Sequence, residues 1–252
     1  MTIAKSNFAP DSLVVDEHRQ YWRPARIRLV LLAESHVYTT NDELGRSLKG
    51  HDQILKSLPR GFVRFVYCLG YGENELLNEP VKSNPGTWQF WKIFHTCVHG
   101  ATSASSFNLL LKKRTKLEDR IQNKIALLHH LKARGIWLVD ASVDALYQPG
   151  RPRLSVNYKQ TLLASWNGSI RPILQEAKPD GILCIGKNVA RTLKSQLNDL
   201  NIPWGAVPQP QARLKRNEHL CILDACGRVS AEPKRAPEFC AKWSCDPKME
   251  VL

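Results

Sequence analysis

Two short runs place groups capable of acid–base chemistry directly behind apolar stretches. The first is Glu34-Ser35-His36, a carboxylate, a hydroxyl and an imidazole, which follows Arg28–Ala33 (RLVLLA). The second is Asp140, which follows Ile136–Val139 (IWLV). In such a place a carboxylate can stabilise a developing cation or orient a water, and an imidazole can pass a proton or contact a phosphate. Two further polar stretches follow apolar runs: Gly186-Lys187 after Ile182–Ile185 (ILCI), and Pro208-Gln209-Pro210 after Trp204–Val207. His129-His130 lies within a helical pattern and reads as a solvated or packed pair rather than a ligand. The sequence contains no P-loop, no G-x-G-x-x-G after a strand, no G-x-S-x-G and no H-E-x-x-H.

The elements that must position these groups alternate. Arg28–Ala33, Ile136–Val139, Ile182–Ile185 and Trp204–Val207 read as buried parallel strands, because such strands are apolar on both faces. Phe62–Leu69 (FVRFVYCL) and His219–Leu223 also read as strands. Helical spacing is evident at Trp88, Trp91, Phe94 and Val98. It recurs at Ile121, Ile125, Leu128 and Leu131, and at Leu162, Trp166, Ile170 and Ile173, with a bend expected near Pro172. Strands alternating with helices predict an α/β fold, a three-layer α/β/α sandwich with a mainly parallel central sheet. Ligands in such sheets bind beyond the carboxyl ends of the strands, where Glu34, Asp140, Gly186 and Pro208 fall. A single domain is expected over 1–252, with residues 1–25 a polar arm and 225–252 a C-terminal extension.

The 36 Lys and Arg residues exceed the 23 Asp and Glu, giving a formal charge of +13 and a pI near 9.6. Such an excess attracts polyanions, nucleic acid above all. No apolar run approaches the ~20 residues of a membrane span, and the first ten residues lack the apolar core of a signal peptide. A cytoplasmic, non-membrane protein is expected, with DNA as partner, as a monomer. Cys221, Cys226, Cys240 and Cys245 are spaced more widely than a zinc knuckle and read as ordinary thiols, so no metal is expected.

At four successive strand ends the chain resembles the uracil-DNA glycosylase superfamily. Leu31-Leu32-Ala33-Glu34-Ser35-His36 matches the loop whose acidic residue handles the attacking water, with Ala33 for the usual glycine and His36 for proline. Gly135-Ile136-Trp137-Leu138-Val139-Asp140-Ala141 matches the segment whose asparagine reads the base edge, with Asp140 in its place. Gly181-Ile182-Leu183-Cys184-Ile185-Gly186 looks like the family's buried strand ending in glycine. Val207-Pro208-Gln209-Pro210 resembles its His-Pro-Ser-Pro loop, with Val207 for the histidine and Gln209 for the serine. Together these cover roughly residues 27 to 224.

The resemblance implies a monofunctional DNA N-glycosylase that flips a base into a pocket and leaves an abasic site, without a cofactor. Glu34 would be the catalytic carboxylate, and His36 an acid or phosphate contact. Asp140 would read the base, helped by Ser35, Tyr71 and Gln209. An ionised carboxylate accepts from the N4 amino group of cytosine but faces the uracil O4 unfavourably, and a protonated one in a dry pocket could donate to N3; either arrangement suits a cytosine-type base. A modified cytosine is therefore expected, such as the glucosylated hydroxymethylcytosine of phage DNA that some superfamily members excise. Uracil or a damaged pyrimidine, and a non-catalytic DNA-binding module, are the alternatives. Phosphate contacts are expected from Asn84, Gly86, Lys187, Pro208, Pro210 and the basic loop Arg213-Leu214-Lys215-Arg216, with Leu214 or Arg213 as the wedge.

Overall fold

The computed structural model describes residues 9–49, 57–100, 104–111, 114–147, 157–209 and 211–244. They form two compact units. One is drawn from Met1–Arg23, Glu34–Trp88 and Asp140–Pro172, the other from Pro24–Ala33, Gln89–Val139 and Ile173–Leu252.

The second unit is built on four parallel strands: β1 Leu29–Ala33, β2 Ile136–Asp140, β3 Gly181–Ile185 and β4 Trp204–Val207. Their order is β2-β1-β3-β4. Val30 lies opposite Ile182 and Cys184 opposite Ala206. Every residue of β1, β2 and β3 is buried, so both faces of the sheet are covered, which is why these strands read as unbroken apolar runs. The chain therefore has the expected α/β class. The strand order changes direction at β1, the strand that delivers Glu34.

Helices Trp88–His99 and Leu117–Ala133 follow the expected spacing. His219–Leu223 is not a strand. It lies inside helix Arg216–Ala231, whose buried residues Ile222, Ala225, Cys226 and Val229 recur at three- and four-residue intervals. Short helix Ala236–Phe239, in the predicted C-terminal extension, packs on β4, and Gly205 admits its backbone: a Cβ there would stand 2.5 Å from the Ala236 carbonyl oxygen. Burial pushes the Cys97 and Cys240 thiols up to about 12 and raises Cys184 and Cys226 as well. These are inert core thiols; Cys245 lies outside the described residues.

The first unit opens with helix Pro10–Tyr21, within the stretch read above as a polar arm. Pro10 suits its first turn and Asp11 complements the positive end of its dipole. Asp11, Ser12, Val15, His18 and Arg19 form one buried face at helical spacing. Most of that face is polar, so hydrophobic periodicity does not reveal it.

Phe62–Leu69 is buried as expected but does not form a strand. Arg64 interrupts it. Its amide donates to Thr39 Oγ1 at 2.9 Å, and its guanidinium grips the Glu43 carboxylate at 2.6 and 3.0 Å. Turn bonds such as Cys68 N to Phe65 O (2.9 Å) satisfy the backbone that a sheet ladder would otherwise have to pair. Near Pro172 the helix widens into a π-turn over Trp166–Ile170, between Tyr158–Ser165 and Arg171–Ala177. The proline ring would clash with a carbonyl one turn back, and the wider turn relieves it.

Candidate active site

Glu34 is the first residue beyond β1, and its side chain and backbone are both fixed. Only 4% of its surface is exposed. The Tyr158 hydroxyl donates to Oε1 at 2.7 Å, and the Tyr147 hydroxyl makes a shorter bond to Oε2. The Glu34 carbonyl accepts from Ser142 N at 3.0 Å. A parallel bridge between Val37 and Tyr147, with Tyr38 N donating to Tyr147 O at 2.8 Å, brings Tyr147 beside the Glu34 loop. Ser35 also serves this loop: its hydroxyl donates to the His36 carbonyl (3.0 Å) and accepts from Leu146 N (3.1 Å).

Beside Glu34 in sequence, His36 sits in a buried cluster of charges. Its Nε2 lies 3.4 Å from Asp11 Oδ2 and its Nδ1 lies 3.8 Å from Asp140 Oδ2. Arg19 reaches the same Asp140 oxygen at 3.4 Å. These are ion-pair separations, longer than a close N–H···O bond. Asp11 also accepts from Thr39 N at 3.2 Å. All four side chains are at least 94% buried.

Burial alone would push the His36 pKa down, but Asp11 and Asp140 outweigh it and raise it. Burial pushes Asp11 up, and the facing imidazole with the Thr39 amide more than offsets that, leaving it lowered. The cluster sets His36 and Arg19 against Asp11 and Asp140, with Asp16 a further 3.7 Å from Arg19, so that buried charged groups meet opposite partners. Among the described residues no group of three or more His, Cys, Asp and Glu side chains is placed to hold a metal ion.

Asp11, Arg19, Tyr147 and Tyr158 were not among the residues expected from sequence. The helix-start signals around Pro10-Asp11 mark the first two as helical. Nothing local marks the tyrosines, which lie 113 and 124 residues beyond Glu34.

The other expected contacts in this unit are engaged in building loops. Tyr71 is buried near Arg64; burial raises its pKa against the opposing effect of that guanidinium. Asn84 accepts from Gly72 N (2.8 Å) and donates to the Gly70 carbonyl and Asn74 Oδ1 (each 2.8 Å). Gly86 has φ +69°, and a Cβ there would come 2.9 Å from Gly72 Cα. Gly86→Ala is expected to cost about 1–3 kcal/mol through strain and clash, read as a lower denaturant midpoint at unchanged slope.

The remaining expected residues belong to the other unit. Val207 is buried at the end of β4, Pro208 is buried, and Gln209 lies against Gly186. Lys187 begins helix Lys187–Thr192. Arg213, Lys215 and Arg216 are exposed and Leu214 is half-buried, with Lys215 N donating to Glu218 at 2.8 Å as helix Arg216–Ala231 starts. Pro210 lies outside the described residues. No helix among the described residues is long and apolar enough to cross a membrane.

Compared with protein-family models, curated proteins and solved structures, the chain matches none.

Proposed function

We propose that this chain is a DNA N-glycosylase on a three-layer α/β/α scaffold of the uracil-DNA glycosylase type. The observation that carries the reading is Glu34: a buried carboxylate at the end of the strand where the sheet order turns, with a phenol bound to each oxygen. A carboxylate offers about four lone-pair sites, and the two phenols fix its orientation. Held in this way, the carboxylate can orient an attacking water, and its charge can face the cationic sugar formed as the base leaves.

The charged cluster serves as support. His36, held between Asp11 and Asp140, anchors the loop that carries Glu34. Asp140 contacts both Arg19 and His36 through Oδ2. The oxygen it would offer to a base is therefore Oδ1, an acceptor suited to the N4 amino group of a cytosine derivative. The overall charge of +13 matches a polyanionic substrate.

Alkali cleavage of end-labelled oligonucleotides tests the proposal, because alkali breaks the chain wherever a base has been removed. The substrates are plain DNA, uracil DNA, and DNA carrying hydroxymethylcytosine with and without glucose. Cleavage confined to modified cytosine is the expected result. Cleavage of uracil DNA would move the activity to repair and remove Asp140 as a cytosine reader. Binding without cleavage of any substrate would overturn the enzymatic reading, an outcome that Val207, with no polar atom where the family carries histidine, favours.

A further inference from the structure

The second unit carries an open depression of about 550 Å³ lined by Arg26, Arg28, His129, Lys132, Arg134 and Gly135. It lies where the chain enters β1 and β2, at the amino end of the sheet, whereas Glu34 follows the carboxyl end of β1. Two chain segments build it. Ile27 is buried, and the arginines on either side of it stay outside. On the other segment, helix Leu117–Ala133 carries Lys132 in its last turn, and Arg134 and Gly135 follow.

Arg26 and Arg28 share one carboxylate, Asp180, at 3.7 and 3.5 Å, and Arg134 adds a third guanidinium to the lining. The Arg26 side chain remains 81% exposed beside that partner. No acid is among the described residues that line the cleft, and three arginines set against Asp180 and the negative end of a helix dipole leave it net positive.

We propose that this cleft is an anion site for the phosphodiester backbone of a nucleic-acid strand, separate from the Glu34 site. Three features select a diester backbone over a small phosphorylated molecule. The depression is open and lined without any Phe, Tyr or Trp on which a base could stack. The amides of Arg28 and Leu29, which could otherwise cradle a terminal phosphate, are both spent on the Gly135 carbonyl (2.7 and 3.0 Å). What remains is a set of point charges on two flanking segments, which suits successive singly charged phosphates and reads no sequence.

The test is fluorescence anisotropy of a labelled, unmodified oligonucleotide over a range of salt concentrations. Arg28→Gln/Arg134→Gln is expected to make the slope of log affinity against log salt shallower by about two units, and to weaken binding about tenfold or more at low salt. Arg26→Gln, at an exposed side chain, guards against a folding defect and is expected to lower the slope by about one unit. Arg191→Gln/Lys194→Gln, at exposed cations elsewhere, should match the wild type. Unchanged slopes in both cleft variants, or no binding by the wild type, would overturn the proposal. Inorganic pyrophosphate separates the sources of phosphate: if the cleft variants lose affinity for it but bind the oligonucleotide normally, the site is for small anions and the proposal fails. Glu34→Gln should keep the wild-type slope, so failure of the glycosylase reading leaves this result standing.

Discussion

Glu34→Gln is expected to lower base excision by about a thousandfold while leaving the protein folded. The substitution keeps the shape of the side chain and removes its charge. One tyrosine can still donate to the amide oxygen, and the other has only to rotate its hydroxyl to accept from the amide nitrogen. A neutral amide cannot balance the positive charge that grows on the sugar, and it is a far poorer base toward water. Single-turnover cleavage on the preferred substrate measures the loss, and the thermal midpoint checks the fold. Retention of full activity would sink the mechanism. Tyr158→Phe provides the graded companion: it keeps the charge but loses the 2.7 Å bond that aims it.

The largest expected effect on stability comes from the cluster around His36. Asp11→Asn or His36→Ala should cost about 3–5 kcal/mol, because each leaves an opposite charge buried without its partner. Its pH dependence follows from the directions of the two shifts. His36 has a raised pKa in the folded chain. Its stabilisation is complete below the unfolded value of ~6.5 and is lost as pH rises through the higher folded value. Asp11 has a lowered pKa. Its stabilisation is complete above the unfolded value of ~3.9 and is lost as pH falls through the lower folded value. The cluster therefore stabilises most between about pH 4 and pH 6.5. Denaturant titrations across pH, comparing wild type with His36→Ala, should show a difference that shrinks on the alkaline side. A difference that grows there would mean that His36 is neutral in the folded chain.

The four strands and the helices Trp88–His99 and Leu117–Ala133 were legible from the chain itself, because their signal is local. A parallel strand covered on both faces must be apolar throughout, and a half-buried helix must repeat its apolar residues every three to four positions. For the same reason Glu34, His36 and Asp140 could be picked out: each stands where an apolar run stops, or two residues past it. Local composition also misled. Phe62–Leu69 looks like a strand, yet Arg64 within it answers to Glu43, 21 residues away. His219–Leu223 looks like one as well until Ala225, Cys226 and Val229 extend its buried face along a helix.

What tertiary structure alone decided is who faces whom. Asp11 and Arg19 belong to a helix whose buried face is largely polar, so hydrophobic periodicity is silent about it. The phenols that hold Glu34 come from positions more than a hundred residues downstream. The identity of a charge or a hydroxyl says that it needs a partner when buried. Which partner it meets depends on the path of the backbone, and the apolar groups set that path.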